Sequence, residues 1–228
     1  MSDQQSDLYF DTRDRCIALL RSLDAEQTST IVPLNPAWAV KDVAAHVCGL
    51  NADLAKGMRE GLGADSNTAV QVEARANDSL ADVCDEWLSY DEFMRALVEK
   101  APVLGTRLGA DLTLHMQDVQ HALRLPVETE STAVVDAALN YVEVQQGRML
   151  EAHRTGLGVD LADAGRHEPP EADSTIWVSA TAYDFLRSAT GRRSRAQVEG
   201  LDWSSDPSSL LAQEFSPYGD LPGEDVSV

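Results

Sequence analysis

Gly109-Ala-Asp-Leu-Thr-Leu-His-Met-Gln-Asp-Val-Gln-His-Ala-Leu123 decides the fold class. Read as a helix at about 100° per residue, the stretch sorts into two sectors. Leu108, Leu112, Met116, Val119 and Leu123 share one face and are expected to meet a core. Asp111, His115 and Asp118, at i, i+4 and i+7, run along one edge of that face. Ionisable groups at a core margin are costly unless they are paired or bound to a metal. The pattern therefore predicts a helix in a bundle and raises the question of a cation.

A second helix is predicted over Trp38 to Glu60, with Val40, Val43, Val47, Leu50, Leu54 and Met58 inward. His46 lies at one edge of that face, with Asp42 and Asp53 near it in register. Helices are also expected over Asp7 to Leu23, from a cap at Asp78 or Ser79 to about Lys100, and from Ser131 to about His153. Asp7 is the expected cap of the first of these. The stretches 28–37 and 61–78 read as loops, with Pro33 and Pro36 breaking the first. Gly156 and Gly158 are expected to stop the last long helix. Beyond them, Thr175-Ile-Trp-Val178 is strand-like, and a short helix capped by Ser179 or Thr181 ends near Ala189. Short helix–helix connections favour antiparallel neighbours. The expected architecture is mainly α: a four-helix bundle over 1–156 and a small mixed α+β segment over 157–228.

The 228 residues carry a formal charge of −20. A phosphate-binding groove needs a basic surface, so nucleic acid is not an expected partner, and anionic membranes are disfavoured. No apolar run approaches the roughly 18 residues of a bilayer span, and the polar, acidic start is no signal peptide. A cytoplasmic protein is the expectation. Cys16, Cys48 and Cys84 show no Cys-x-x-Cys spacing and read as small buried residues. Only Cys48, two residues from His46, lies near a candidate ligand.

His46 on one helix and the Asp111–His115 pair on another make a three-ligand set. Residues at i and i+4 stand one turn apart on one face, and the third ligand comes from across the core. Two imidazoles and a carboxylate suit a divalent metal such as zinc, with one position left open, as in catalytic sites. Asp118 is the expected hydrogen-bond partner that orients an imidazole. His121 lies further round the helix, and His153 and His167 read as surface or loop histidines.

Trp38-Ala-Val-Lys-Asp-Val-Ala-Ala-His46 and Asp111-x-x-x-His115-x-x-Asp118-x-x-x-Ala122-Leu123 resemble segments of the DinB-like superfamily, specifically its mycothiol-dependent maleylpyruvate isomerase group. The run from Ser179 to Gln197 and Phe215-Ser-Pro-Tyr-Gly219 resemble that group's tail. The resemblance implies a DinB-type four-helix bundle with zinc at His46, Asp111 and His115. It also implies mycothiol or a similar low-molecular-weight thiol as cosubstrate, in isomerisation or S-transfer on a small electrophile. Two departures stand out: aspartate replaces the group's more usual glutamate at 111, and the loop before the third helix reads as short.

Arg192, Arg193 and Arg195 form a cationic cluster suited to a substrate carboxylate. The competing expectation is a non-catalytic metal-binding module in stress response or regulation, with a closed or empty site. A homodimer through helix faces is a further expectation, with Tyr141 and Val142 as available residues.

Overall fold

Leu108, Leu112 and Val119 are buried, as their spacing predicts. The computed structural model describes residues 2–58, 60–211 and 215–226. Contacts divide the chain into two units, Met1–Val127 and Glu128–Val228.

The first unit opens with α1 (Ser2–Arg21), which begins ahead of the expected cap Asp7, and a single turn, α2 (Ala25–Thr28). A hairpin follows, β1 (Ile31–Val32) and β2 (Asn35–Ala39), where a loop is expected from sequence. Its prolines sit in the turn and in a short two-stranded edge, where a missing N–H is tolerated. Trp38 therefore belongs to β2. The second helix, α3 (Val40–Ala55), starts two residues later, with the Asp42 carboxylate accepting the Ala39 N–H at 2.8 Å.

The region 61–78 is not a plain loop: α4 (Asp65–Glu73) lies within it. Its pattern hides it, because Val70 is exposed while Gln71, and Arg75 just beyond the helix, are buried. The contacts that hold this segment are polar. Arg75 gives Nε and Nη2 to the Glu86 carboxylate at 2.7 and 2.5 Å, and Nη1 to the Gln71 carbonyl at 3.0 Å. The Tyr90 hydroxyl donates to the same carboxylate at 2.9 Å.

The third bundle helix is broken into α5 (Leu80–Ser89) and α6 (Asp91–Lys100) at Tyr90. Ser79 caps α5 in a reciprocal box with Asp82. Asp91 suits the start of α6, since an acid is favourable at a helix N-terminus, and it accepts Arg13 at 2.5 Å and Arg95 at 2.9 Å. Both segments still bury an apolar side, with Val83, Cys84 and Trp87 in α5 and Met94 and Val98 in α6. The helix of the opening stretch, α7 (Pro102–Ala122), begins at Pro102, where a missing N–H costs no intrahelical bond. α1 packs on α7, and α3 lies against α4, α5 and α7.

The second unit begins with α8 (Thr132–His153), capped by Ser131 as expected. Left-handed Arg154 (φ 51°) ends it, not Gly156 or Gly158. Both glycines lie in β3 (Thr155–Leu161), and Gly158 lets the Trp177 ring lie flat against the strand. β4 (Gly165–His167) and β5 (Ser174–Ala180) follow, then α9 (Ala182–Ala189), α10 (Arg195–Glu199) and β6 (Asp202–Trp203). The sheet order is β4-β3-β5-β6, with β3 and β5 parallel and the outer pairs antiparallel. α8 packs on β3 and α9, so it groups with the mixed segment, whereas the boundary expected near 156 placed it with the bundle. Tyr141 and Val142 are buried within this unit, and the Tyr141 hydroxyl meets that of Tyr218.

Two glycines are expected to answer in opposite senses to one added methyl. At Gly49 a Cβ would meet Cβ and Cγ of Gln71 at 2.5 Å, so α3 and α4 must part. Gly49→Ala should destabilise by about 1–3 kcal/mol. At Gly109 the nearest atom is Tyr9 Cα at 3.9 Å, an ordinary contact. Gly109→Ala should stabilise by up to about 1 kcal/mol. Urea melts of both variants check the pair of signs.

Candidate metal centre

His46 is carried on α3 within the bundle and is 5% exposed. Asp111 and His115 stand one turn apart on α7 and are partly open to solvent. One ligand atom from each of the three lies within 4.8 Å of the other two. His115 Nε2 is 3.5 Å from Asp111 Oδ1. Neighbouring donors on a tetrahedral zinc are about 3.3 Å apart, given bonds of about 2.0–2.1 Å. The pair on α7 is therefore close to a chelating distance, and His46 offers a third donor within 4.8 Å of both.

Ring contacts hold the two imidazoles in place. His46 and His115 meet edge to face, with centroids 5.0 Å apart. Trp38, presented by β2, has its centroid 5.3 Å from that of His46 and 6.3 Å from that of His115. The hairpin thus supplies an apolar wall to the site.

His46 Nδ1 is hydrogen-bonded to Gln71 Oε1 at 2.7 Å, and Gln71 Nε2 donates to Asp53 Oδ2 at 2.6 Å. Burial, aided by the neighbouring His115, lowers the His46 pKa from 6.5 to about 4, although Asp111, Gln71 and Asp53 pull the other way. The neutral imidazole, the form that binds a metal, is therefore the resting one. Tyr9, also buried, donates its hydroxyl to Asn51 Oδ1 at 2.9 Å. Burial pushes its pKa up to about 12, with the Asp111 charge adding to the shift, so the phenol stays protonated. These side chains fit a divalent cation: the donors are two imidazoles and one carboxylate, and one imidazole nitrogen is already engaged away from the centre.

The structure brings His46, Asp111 and His115 together. Among the described residues no other His, Cys, Asp or Glu joins that group. Asp118 is buried on α7 and His121 is half-buried near its end. The groups seen bonding to His46 from behind are Gln71 and, through it, Asp53. Gln71 is the site residue the sequence reading lacks, because a polar stretch without an apolar stripe gives no helix signal. The three cysteines are buried and unbridged, as expected. Cys48 sits beside Arg75 and Glu86, and burial pushes its thiol up to about 12. His153 and His167 are half-buried rather than on the surface.

The three arginines belong to the second unit and are engaged there. Arg192 donates to the Thr190 carbonyl at 3.0 Å and lies over the Tyr218 ring. Arg193 is 3.5 Å from Asp184 and lies over Tyr183. Arg195 is 3.5 Å from Glu199 and bonds the Leu211 carbonyl.

Residues 10–110 match the family model described as mycothiol maleylpyruvate isomerase N-terminal domain. The match includes His46 and ends one residue before Asp111. No curated protein matches the chain. Among solved structures, the chain is similar to a mycothiol-dependent maleylpyruvate isomerase and to a histidine-to-alanine mutant of it. Each is 13% identical, with 90% of this chain and 94% of that chain covered, at a TM-score of 0.53. At that identity the likeness shows the fold alone: a helical bundle with a mixed segment, as the sequence leads one to expect.

The buried imidazole sets a pH dependence for the metal-free protein. Between about pH 6.5 and 4 the unfolded chain protonates His46 and the folded chain does not. This contribution is fully present above pH 6.5 and is lost as pH falls towards about 4. The whole span is worth about 3 kcal/mol. Urea melts of wild type and His46→Gln at pH 7 and 4.5 should show the wild type losing more stability on acidification. Equal slopes would exclude a buried neutral histidine.

Proposed function

We propose that this chain, whose residues 10–110 match the model of a mycothiol maleylpyruvate isomerase N-terminal domain, is a metal-dependent, thiol-using enzyme. It acts as an isomerase or S-transferase on a small electrophilic substrate, with mycothiol or a similar thiol as cosubstrate. The observation that carries this reading is the convergence of His46, Asp111 and His115 without a fourth ionisable ligand among the described residues. Three protein donors leave a coordination position for an exogenous group, which is the catalytic pattern.

When bound, a zinc-type ion supplies charge and favours the thiolate of a thiol placed beside it. The protein's own groups prepare for that. His46, Asp111 and His115 would hold such an ion, and with one carboxylate among them they would leave it net positive charge. Trp38 lies against both imidazoles and gives that side of the site an apolar wall. Tyr9, protonated and buried near Asp111, adds no competing negative charge.

In the isomerase form of the reaction, a thiolate adds to one carbon of a conjugated double bond. Rotation about the resulting single bond and expulsion of the same thiolate return the thiol unchanged, so atoms and electrons balance. In the transferase form the sulfur stays on the product. The contact of a substrate carboxylate with one of Arg192, Arg193 or Arg195 is part of this proposal.

A non-catalytic module with a closed site, acting in stress response or regulation, would need a fourth protein ligand. Neither Asp118 nor His121 joins the three donors.

Purified protein is expected to hold about one divalent ion per chain. His46→Ala and His115→Ala should each weaken binding beyond the about 10- to 100-fold that follows loss of an outer hydrogen-bond partner. Asp111→Glu, which restores the group's usual residue, should retain the ion. Metal analysis after incubation with zinc reads all four proteins. A wild type that neither carries nor takes up metal would sink the proposal. Cobalt-substituted protein should then change its visible spectrum on adding a low-molecular-weight thiol. An unchanged spectrum up to millimolar thiol would leave metal binding intact and remove the thiol step.

A further inference from the structure

The hydrogen-bond chain behind His46 has a direction. Asp53 offers only acceptor oxygens when ionised, so the group Gln71 turns towards it, 2.6 Å away, is its NH2. An amide has one other end. Gln71 Oε1 therefore faces His46 Nδ1 at 2.7 Å, and an oxygen there accepts a proton from the ring. A neutral imidazole holding its proton on Nδ1 has its lone pair on Nε2. We propose that Asp53, acting through Gln71, locks His46 as the Nδ1–H tautomer and so aims the Nε2 lone pair at Asp111 and His115. Gln71 and Asp53 are thereby positioning residues of the metal centre.

The rest of α4 is built to keep that amide in place. Gly49, one turn after His46 on α3, has no Cβ, and Gln71 occupies the space a Cβ would fill. Gln71 is buried, so its side chain is confined to this position and Asp53 sets which end of the amide faces the ring. Four residues on, Arg75 holds the Gln71 backbone carbonyl with Nη1 and grips Glu86 on α5 with its other two nitrogens. A helix with little apolar surface of its own is thus fastened at the residue that faces the histidine and again one turn later. The contact is of the kind that fixes ring orientation and raises ligand basicity in metal proteins, where its loss typically costs about 10- to 100-fold in affinity.

The inference rests on the metal reading above for its purpose but not for its test. Ring-nitrogen NMR of metal-free wild type, with His46 assigned by comparison with His46→Gln, reports the tautomer directly. The expected result is Nδ1–H in wild type and in Gln71→Glu. In that variant a carboxyl group can share a proton with Asp53 and still accept from the ring. Gln71→Leu, which removes the acceptor, should populate the Nε2–H form. Asp53→Ala, which frees the amide to turn over, should give a mixture. Zinc affinity measured by competition with a chelator should fall about 10- to 100-fold in Gln71→Leu, less in Asp53→Ala, and little in Gln71→Glu.

An Nε2–H tautomer in wild type overturns the proposal. So does a Gln71→Leu protein that melts like wild type and keeps both its tautomer and its affinity. The expected tautomers in proteins that take up no zinc would support the lock and overturn the metal reading instead. The two failures are therefore distinguishable.

Discussion

A histidine inside a helical bundle constrains everything around it. His46 forfeits most of its contact with water, and one of its ring nitrogens needs a partner in the protein. Gln71 meets that need at 2.7 Å, and it can do so only because α4 lies hard against α3 at Gly49. That approach depends in turn on the Arg75–Glu86 pair, whose arginine is nearly enclosed. Removing one partner of such a pair leaves an uncompensated charge and is far costlier than the pair's own net worth. Packing, charge pairing and the posture of a candidate ligand are thus one arrangement, centred on a short helix whose buried residues are polar.

The long elements were legible in the sequence because their apolar spacing is regular. α3, α7 and α8 appear where periodicity puts them, and Ser79, Ser131 and Thr181 cap helices as their residue types suggest. The break at Tyr90 was not legible, since the apolar spacing runs through it. What divides α5 from α6 is a local turn followed by Asp91, whose carboxylate is held by Arg13 and Arg95 from elsewhere. The hairpin was hidden by its prolines, and α4 by the lack of an apolar face. In each case the missing information lies in a contact between distant residues, which a local pattern does not contain.

The candidate site was legible to the same degree. Asp111, His115 and His46 declared themselves as ionisable residues on core margins, and the fold brings them together. Gln71 had no such signature: a buried glutamine on an otherwise polar stretch looks like any surface residue. The hydrogen-bond chain seen behind His46 enters through α4. On α7 the Asp111 oxygen lies 3.5 Å from His115 Nε2.

The hairpin that displaced the expected loop has an optical consequence. Of the four tryptophans, Trp38 has its indole centred 5.3 Å from His46 and 6.3 Å from His115. Emission from an indole so close to an imidazole is quenched when that ring is protonated. It is quenched again when an open-shell ion such as cobalt replaces a closed-shell one such as zinc. The side chain that walls the site is thus also a native fluorophore beside both imidazoles.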